Sequence, residues 1–345
     1  MAFDGTNYFV VWSDFRSGEV DDFSFEYPDL FGARVSPTGA ILDPTGIVID
    51  SETFAGTVTF RGAGPGPAVA FDGTNYFVVW GGGYRVSTAG VVLDPDPIQI
   101  FEFGGTSDVV FDGTNYFVVG QQSSNEIVGA RVSTSGTVLD PSPIAIGRGG
   151  FIFPNKGPSV SFDGTNYLIV WFRTISTGQY DIYGARVSSG GTLLDGPPDE
   201  TGGIAISTAP NIQTNPSVAF DGTRYLVAWS DARGSGATFA ARLSTTGSLL
   251  DGPPDTGGIP IGAGGGPSVA ANGPFLVVWN RAGEIVGARV NGSDGTVTDP
   301  SGFVIAPSGS LSSAIKRPGG WAVSYSGLDS TYGASRVFLR TVAPK

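Results

Sequence analysis

One ten-residue string returns along this chain, and it dictates what the chain can fold into. Phe3-Asp4-Gly5-Thr6-Asn7-Tyr8-Phe9-Val10-Val11-Trp12 recurs almost unchanged at residues 71–80, and at 111–119 with Gly120 in place of the Trp. It recurs again at 162–171 and 220–229. Two worn copies follow: Asn272-Gly273-Pro274-Phe275-Leu276-Val277-Val278-Trp279 and Pro318-Gly319-Gly320-Trp321-Ala322-Val323. Repetition from end to end of 345 residues argues for one array rather than two ordinary domains.

Each copy sits inside a unit of four short runs. The first is of the type Pro158-Ser159-Val160-Ser161-Phe162. Asp-Gly between apolar runs then signals a hairpin turn. The second run, Tyr-Phe-Val-Val-Trp, is β-branched or aromatic at every position, which reads as a strand buried on both faces. The third is Gly-Ala-Arg-Val, and the fourth is of the type Ile41-Leu42-Asp43-Pro44 continuing to Ile47-Val48-Ile49. Gly 54 and Pro 24 supply the turns between them. No amphipathic helix is apparent. A four-stranded blade with two apolar faces cannot stand alone and must stack on neighbours, and a ring supplies them.

The expected fold class is therefore all-β: a seven-bladed β-propeller of four-stranded antiparallel blades. The expected domain is a single one over 1–345, with units 1–50, 66–100, 106–146, 157–206, 215–261, 266–305 and 311–345. The last unit has no evident fourth strand, so that blade is expected to be three-stranded, or else the natural protein extends further. The first unit lacks most of its first strand, which fits a trimmed or mature segment.

Recurring residues have structural readings first. Asp4, Asp72, Asp112, Asp163 and Asp221 are expected to accept backbone N–H groups within the turn. Arg34, Arg85, Arg131, Arg186, Arg242, Arg289 and Arg336 recur on the third run. Asp43, Asp94, Asp140, Asp195, Asp251 and Asp299 recur on the fourth, so a cross-strand Arg–carboxylate pair is expected in each blade. Trp12, Trp80, Trp171, Trp229, Trp279 and Trp321 read as ending the second strand. Burial between blades is their expected role, and a rim platform for sugar stacking is the alternative.

Composition excludes several functions. A net charge of −12 argues against nucleic acid and against anionic membrane surfaces. With neither Cys nor His, there is no thiolate nucleophile, no Ser-His-Asp triad and no ordinary zinc site. No stretch is long and apolar enough for a membrane-spanning helix, and no secretory signal is evident. No cofactor and no catalytic residue is assigned.

The units resemble bacterial extracellular β-propeller repeat proteins. Those units read roughly Pro-Ser-Val-Ala-Phe-Asp-Gly-Thr-Asn-Tyr-Leu-Val-Val-Trp-Ser-Asp, then Ile-Tyr-Gly-Ala-Arg-Val-Ser, then Leu-Leu-Asp. The match covers essentially the whole chain and is best over 158–195 and 216–231. It implies a secreted or surface-exposed propeller and carries no catalytic motif.

Function is then expected where copies are interrupted, because variable loops on a rigid scaffold carry binding. The strongest insertion, 14–29, holds Asp21, Asp22, Glu26 and Tyr27. The segment 51–66 holds Phe60 and Arg61; 147–156 holds Arg148, Phe151, Phe153 and Lys156; 174–181 holds Tyr180. These eleven residues are the candidate ligand contacts. Calcium is the cation that Asp21, Asp22 and Glu26 would suit, although their spacing matches no calcium loop. The leading expectation is a non-catalytic extracellular or cell-surface module for a glycan or protein partner. The alternatives are a self-assembling subunit of a surface layer or filament, and a polysaccharide hydrolase or lyase using the loop carboxylates.

Overall fold

The computed structural model describes residues 1–15, 28–51, 66–101, 105–122, 125–150, 156–199, 201–329 and 334–344. It forms two compact units, Met1–Ile146 with Phe151–Gly157, and Gly147–Gly150 with Pro158–Lys345. Among the described residues every element is a strand, and the strands group into seven antiparallel sheets whose neighbours follow chain order. The chain is a seven-bladed β-propeller, as its repeat predicts.

Blade 1 contains β1 (Ala2–Phe3), β2 (Tyr8–Asp14), β3 (Asp29–Val35) and β4 (Ile47–Asp50). Blade 2 contains β5 (Ala68–Phe71), β6 (Asn75–Trp80) and β7 (Gly82–Ser87), with a fourth position held by one bridge, Gly83 to Ile98. Blade 3 contains β8 (Gly105–Phe111), β9 (Asn115–Gln121), β10 (Glu126–Ser133) and β11 (Ile144–Arg148). In the second unit, blade 4 contains β12 (Ser159–Phe162), β13 (Asn166–Ser176), β14 (Gln179–Ser188) and β15 (Ile204–Ser207). Blade 5 contains β16 (Gln213–Phe220), β17 (Arg224–Asp231), β18 (Ala237–Ser244) and β19 (Ile259–Ala263). Blade 6 contains β20 (Gly265–Ala271), β21 (Phe275–Arg281), β22 (Glu284–Val290) and β23 (Phe303–Ala306). Among the described residues blade 7 contains three strands: β24 (Ser310–Arg317), β25 (Gly320–Asp329) and β26 (Ala334–Val342).

The second strand is the core of each blade. Tyr76, Phe77 and Val78 are fully buried, on both faces of β6. Phe9 stacks on Tyr76 of the next blade at 4.5 Å, and Phe77 stacks on Tyr116 at 4.6 Å. Each such side chain is worth about 2 kcal/mol when removed from water, so blades stabilise one another through these faces. The glycine of the third run follows from the same packing. A Cβ on Gly32 or Gly129 would lie 2.5 Å from the Cζ of Phe9 or Phe117. A large aromatic on the second strand therefore requires no side chain there.

The turn aspartates do what the sequence predicts and one thing more. The Oδ1 of Asp4 accepts the amides of Thr6 and Asn7 at 2.7 and 2.6 Å. Its Oδ2 accepts the Tyr76 hydroxyl of blade 2 at 2.6 Å, so the turn of one blade is latched to the core of the next.

The Arg–Asp pairs are present in the first six blades. Arg34 meets Asp43, Arg85 meets Asp94, Arg131 meets Asp140, Arg186 meets Asp195, Arg242 meets Asp251 and Arg289 meets Asp299, all within 2.6–2.8 Å. The carboxylate also accepts the arginine's own backbone amide, for example at 2.7 Å in Arg186. The remaining guanidinium nitrogen reaches the next blade: Arg34 to the Thr88 carbonyl, Arg186 to that of Thr245, Arg242 to that of Gly292.

Two readings of the last unit change. Trp321 does not end the second strand; it opens it, pairing with Val342 as Tyr8 pairs with Val35. Tyr325 holds the place that Trp12 holds in blade 1. Arg336 is likewise not the recurring arginine. Register puts Thr341 there, opposite Ala322, while the Nε of Arg336 lies 3.3 Å from Asp329.

Candidate functional site

The end of each blade away from the Asp-Gly turns carries the second-to-third and fourth-to-first connections, and Trp12, Trp80, Trp171, Trp229 and Trp279 stand there. Trp171, Trp229 and Trp279 are at most 1% exposed. A buried indole N–H needs an acceptor, and the chain provides it in two ways. In blades 1 and 5 the Asp two residues on serves: Trp12 donates to Asp14 at 2.8 Å and Trp229 to Asp231 at 2.9 Å. In blades 4 and 6 a main-chain carbonyl serves, that of Arg148 for Trp171 and that of Ala263 for Trp279, both at 2.8 Å. These rings are structural, and the stacking-platform alternative has no exposed face to work with at Trp171, Trp229 and Trp279.

Of the residues proposed from sequence, Asp21, Asp22, Glu26, Tyr27, Phe60, Arg61, Phe151 and Phe153 lie outside the described residues. Arg148 ends β11 and offers its carbonyl to Trp171. Tyr180 is half-buried, with its ring 5.9 Å from Phe172 and its amide donating to Asn211 at 3.3 Å. Arg148 and Tyr180 thus belong to the surroundings of one hairpin, β13–β14. Lys156 belongs to the first unit. Burial lowers its ammonium to about 8, with the Asp108 carboxylate pulling the other way.

At the base of the acidic insertion, Asp14 and Asp29 stand directly opposite each other across β2 and β3. Asp29 is buried, and among the described residues its Oδ2 has no hydrogen-bond partner. Among the described residues, no group of three or more acidic side chains is placed to hold a metal ion.

The described loop end also forms an open cleft of about 440 Å³ within the second unit, at blades 5 and 6. Ile212 and Thr214 come from the lead-in to blade 5, and Ser230 to Ala237 from the β17–β18 loop. Ala263 and Gly264 come from the step into blade 6, and Arg281 and Ala282 from its β21–β22 turn. That turn is a two-residue hairpin with positive φ at both Ala282 (49°) and Gly283 (89°), the backbone that tight antiparallel connections favour. It holds Arg281 over the cleft, paired with Glu284 at 3.0 Å.

The cleft's chemistry is specific. Ser230 accepts the Gly266 amide at 2.8 Å, which leaves its hydroxyl proton to donate. Ser235 is exposed, and Ala232, Ala237, Ala263 and Ala282 form a low apolar wall. Asp231 accepts from Trp229, from the backbone amide of Arg233 at 2.9 Å and from the Arg233 guanidinium at 2.9–3.0 Å. Arg233 in turn lies 4.2 Å over the Phe239 ring. The arrangement presents hydroxyls, a guanidinium and small apolar side chains, with its carboxylate already engaged.

None of these cleft residues stood out in the sequence. Long insertions are conspicuous in the repeat, whereas this cleft comes from small residues: Ala232-Arg233-Gly234-Ser235-Gly236-Ala237 after a standard Trp229-Ser230-Asp231. A departure from the repeat towards Gly, Ala and Ser, with no gain in length, was the available signal.

No protein-family model matches the chain, and comparison with curated proteins gives no match. Solved structures do resemble it. A lectin from Burkholderia pseudomallei is similar with a TM-score of 0.63 at 17% identity, over 98% of this chain and 96% of that one. Kuenenia stuttgartiensis hydrazine synthase is similar with a TM-score of 0.57 at 12% identity, over 92% and 93%. A puromycin hydrolase is similar with a TM-score of 0.56 at 15% identity, where all of this chain spans 54% of that one. At such identities the likeness is one of fold.

Proposed function

We propose that this chain is a non-catalytic binding module that works outside the cell or at its surface, taking a glycan or protein partner at the loop end of its blades. One observation carries the reading. The single carboxylate lining the blade 5–6 cleft, Asp231, is already held by Trp229 and Arg233. General acid–base or nucleophilic work needs a carboxylate free to gain or lose a proton at the substrate. The groups that remain suit recognition. Ser230, Ser235 and Thr214 offer hydroxyls, Arg281 offers N–H donors, and the alanines accept the apolar face of a sugar ring or a small side chain. The similar structures include a lectin, which supports a glycan as the first class to test.

Labelled wild type and a Ser235→Trp variant, in which an indole fills the cleft, should be read on a glycan array. The expected result is retention of at least one glycan by wild type and about a tenfold weaker signal from the variant, equivalent to about 1.4 kcal/mol, with an unchanged Tm. Equal signals would move the site elsewhere. Release of reducing ends would make the chain a hydrolase, and no glycan signal alongside ordered assemblies would make it a structural subunit.

A further inference from the structure

We propose that Asn291 is a self-modifying site, where the backbone nitrogen of Gly292 converts the side-chain amide to aspartate or isoaspartate through a cyclic imide. Asn-Gly occurs twice in the chain, at 272–273 and 291–292. A glycine after asparagine has no Cβ to hinder attack by its own nitrogen. The fold treats the two pairs oppositely. The Asn272 side-chain nitrogen donates to the carbonyls of Arg317 at 3.0 Å and Gly320 at 2.7 Å, so its leaving group is held in place. Asn291 is exposed, in the tight connection that follows β22. Its Oδ1 accepts both the amide and the hydroxyl of Ser293, each at 2.9 Å.

Those two donors are what the addition step needs. As the Gly292 nitrogen attacks Cγ, negative charge builds on Oδ1, and donors already aimed at that oxygen stabilise it. The Ser293 amide is a strengthened donor. The carbonyl of the same peptide group, that of Gly292, accepts Arg224 at 3.2 Å and Arg242 at 3.1 Å, and linked hydrogen bonds polarise one another. Among the described residues the Gly292 amide makes no main-chain hydrogen bond, so the nucleophile is unengaged. A proton acceptor stands beside it. Asp4 commits its Oδ2 to the Tyr76 hydroxyl, but blade 6 has Phe275 in the place of Tyr76, with no hydroxyl to give. The Oδ2 of Asp221 instead lies against Gly292, where a Cβ would sit 2.0 Å from it. The steps balance. The Gly292 nitrogen bonds to Cγ as Asp221 takes its proton. The Cγ–Nδ2 bond then breaks, and ammonia leaves with that proton. Water opens the imide at one carbonyl to give aspartate, or at the other to give isoaspartate.

Peptide mapping by mass spectrometry tests this on the whole folded chain, held in mildly alkaline buffer made with heavy-oxygen water. The Asn291 peptide should gain the amide-to-acid mass shift with one heavy oxygen, about tenfold or more faster than the Asn272 peptide. A chain unfolded in urea, where neither amide is held, should lose that discrimination. Ser293→Ala should slow conversion about tenfold in the folded chain, the scale of one lost oxyanion donor or somewhat less. Asp221→Asn, whose amide oxygen still caps its turn, should slow it as well. The idea is overturned if Asn291 stays an amide in the folded chain while converting in the unfolded one. Equal folded-state rates at Asn272 and Asn291, or rates unmoved by both variants, overturn it too; the comparison of the two asparagines needs no variant to fold.

Discussion

A buried indole N–H, a buried guanidinium and a buried phenol each need a partner, and in several blades an aspartate is that partner, with main-chain carbonyls serving Trp171 and Trp279 instead. Asp14 and Asp231 serve indoles, Asp43 and its counterparts serve guanidinium groups, and Asp4 serves the phenol of the next blade. This has a consequence for pH. The Arg34 guanidinium holds the Asp43 carboxyl below the ordinary carboxylate value, against the pull of burial. Burial also opposes the shift at Asp4, but the Tyr76 hydroxyl and the turn amides outweigh it and lower that group as well. A carboxyl depressed in the folded state adds stability that is fully present above its unfolded value of about 3.9. That contribution is lost as pH falls through the lower folded value. Urea midpoints should therefore be flat from neutral pH to about 5 and fall below about 4, and an Asp43→Asn variant should lose less on acidification. A midpoint unchanged down to pH 2.5 would remove these carboxylates from the stability account. The Arg–Asp pairs were legible in sequence because both partners recur at a spacing of nine or ten residues. The Asp4–Tyr76 bond was not. Its partners lie 72 residues apart, and the turn alone already explained the Asp.

The second and third strands of a blade are chosen as a pair. A ring at the position of Phe77 demands glycine at 83, because a Cβ there would lie 2.9 Å from Phe77 Cε2 and 3.1 Å from Ile100 Cδ1. Blade 7 makes the opposite choice. Ala322 stands where blades 1–3 have Phe and blades 4–6 have Leu, and Leu339 where blades 1–4 and 6 have Gly, so volume moves from one strand to the other. Gly83→Ala should therefore destabilise by about 1–3 kcal/mol, read as a lower denaturant midpoint at unchanged slope. Gly5→Ala, where a Cβ meets nothing but φ is +95°, should cost about 1 kcal/mol. Equal costs at both positions would contradict the packing argument. Strands with two apolar faces announced themselves in the sequence. The misplacements came where that pattern has worn away. Trp321 resembles the tryptophans that end the strand because the same residue type is buried at both ends. The Gly319-Gly320 pair, set against Gly273-Pro274, is the signal that fixes its true register.

Across the molecule, the residues that recur are consumed by folding: turn, latch, clamp and core. Under the proposed function, what does not recur serves recognition. This division was readable at the coarse level, since insertions interrupt the copies at one end of the blades. The cleft itself was not, because it arises from the exchange of large residues for small ones within a loop of ordinary length. The central claim is that partners bind through the non-recurring loops and not through the repeated string. It is tested most directly by a hydrogen-exchange map of the chain with and without a glycan or protein selected by binding. The account predicts slowed exchange at residues 230–237, 263–264 and 281–282, with the Asp-Gly-Thr-Asn turns at 4–7, 72–75 and 163–166 unchanged. Protection centred on those turns, with the cleft unaffected, would contradict it.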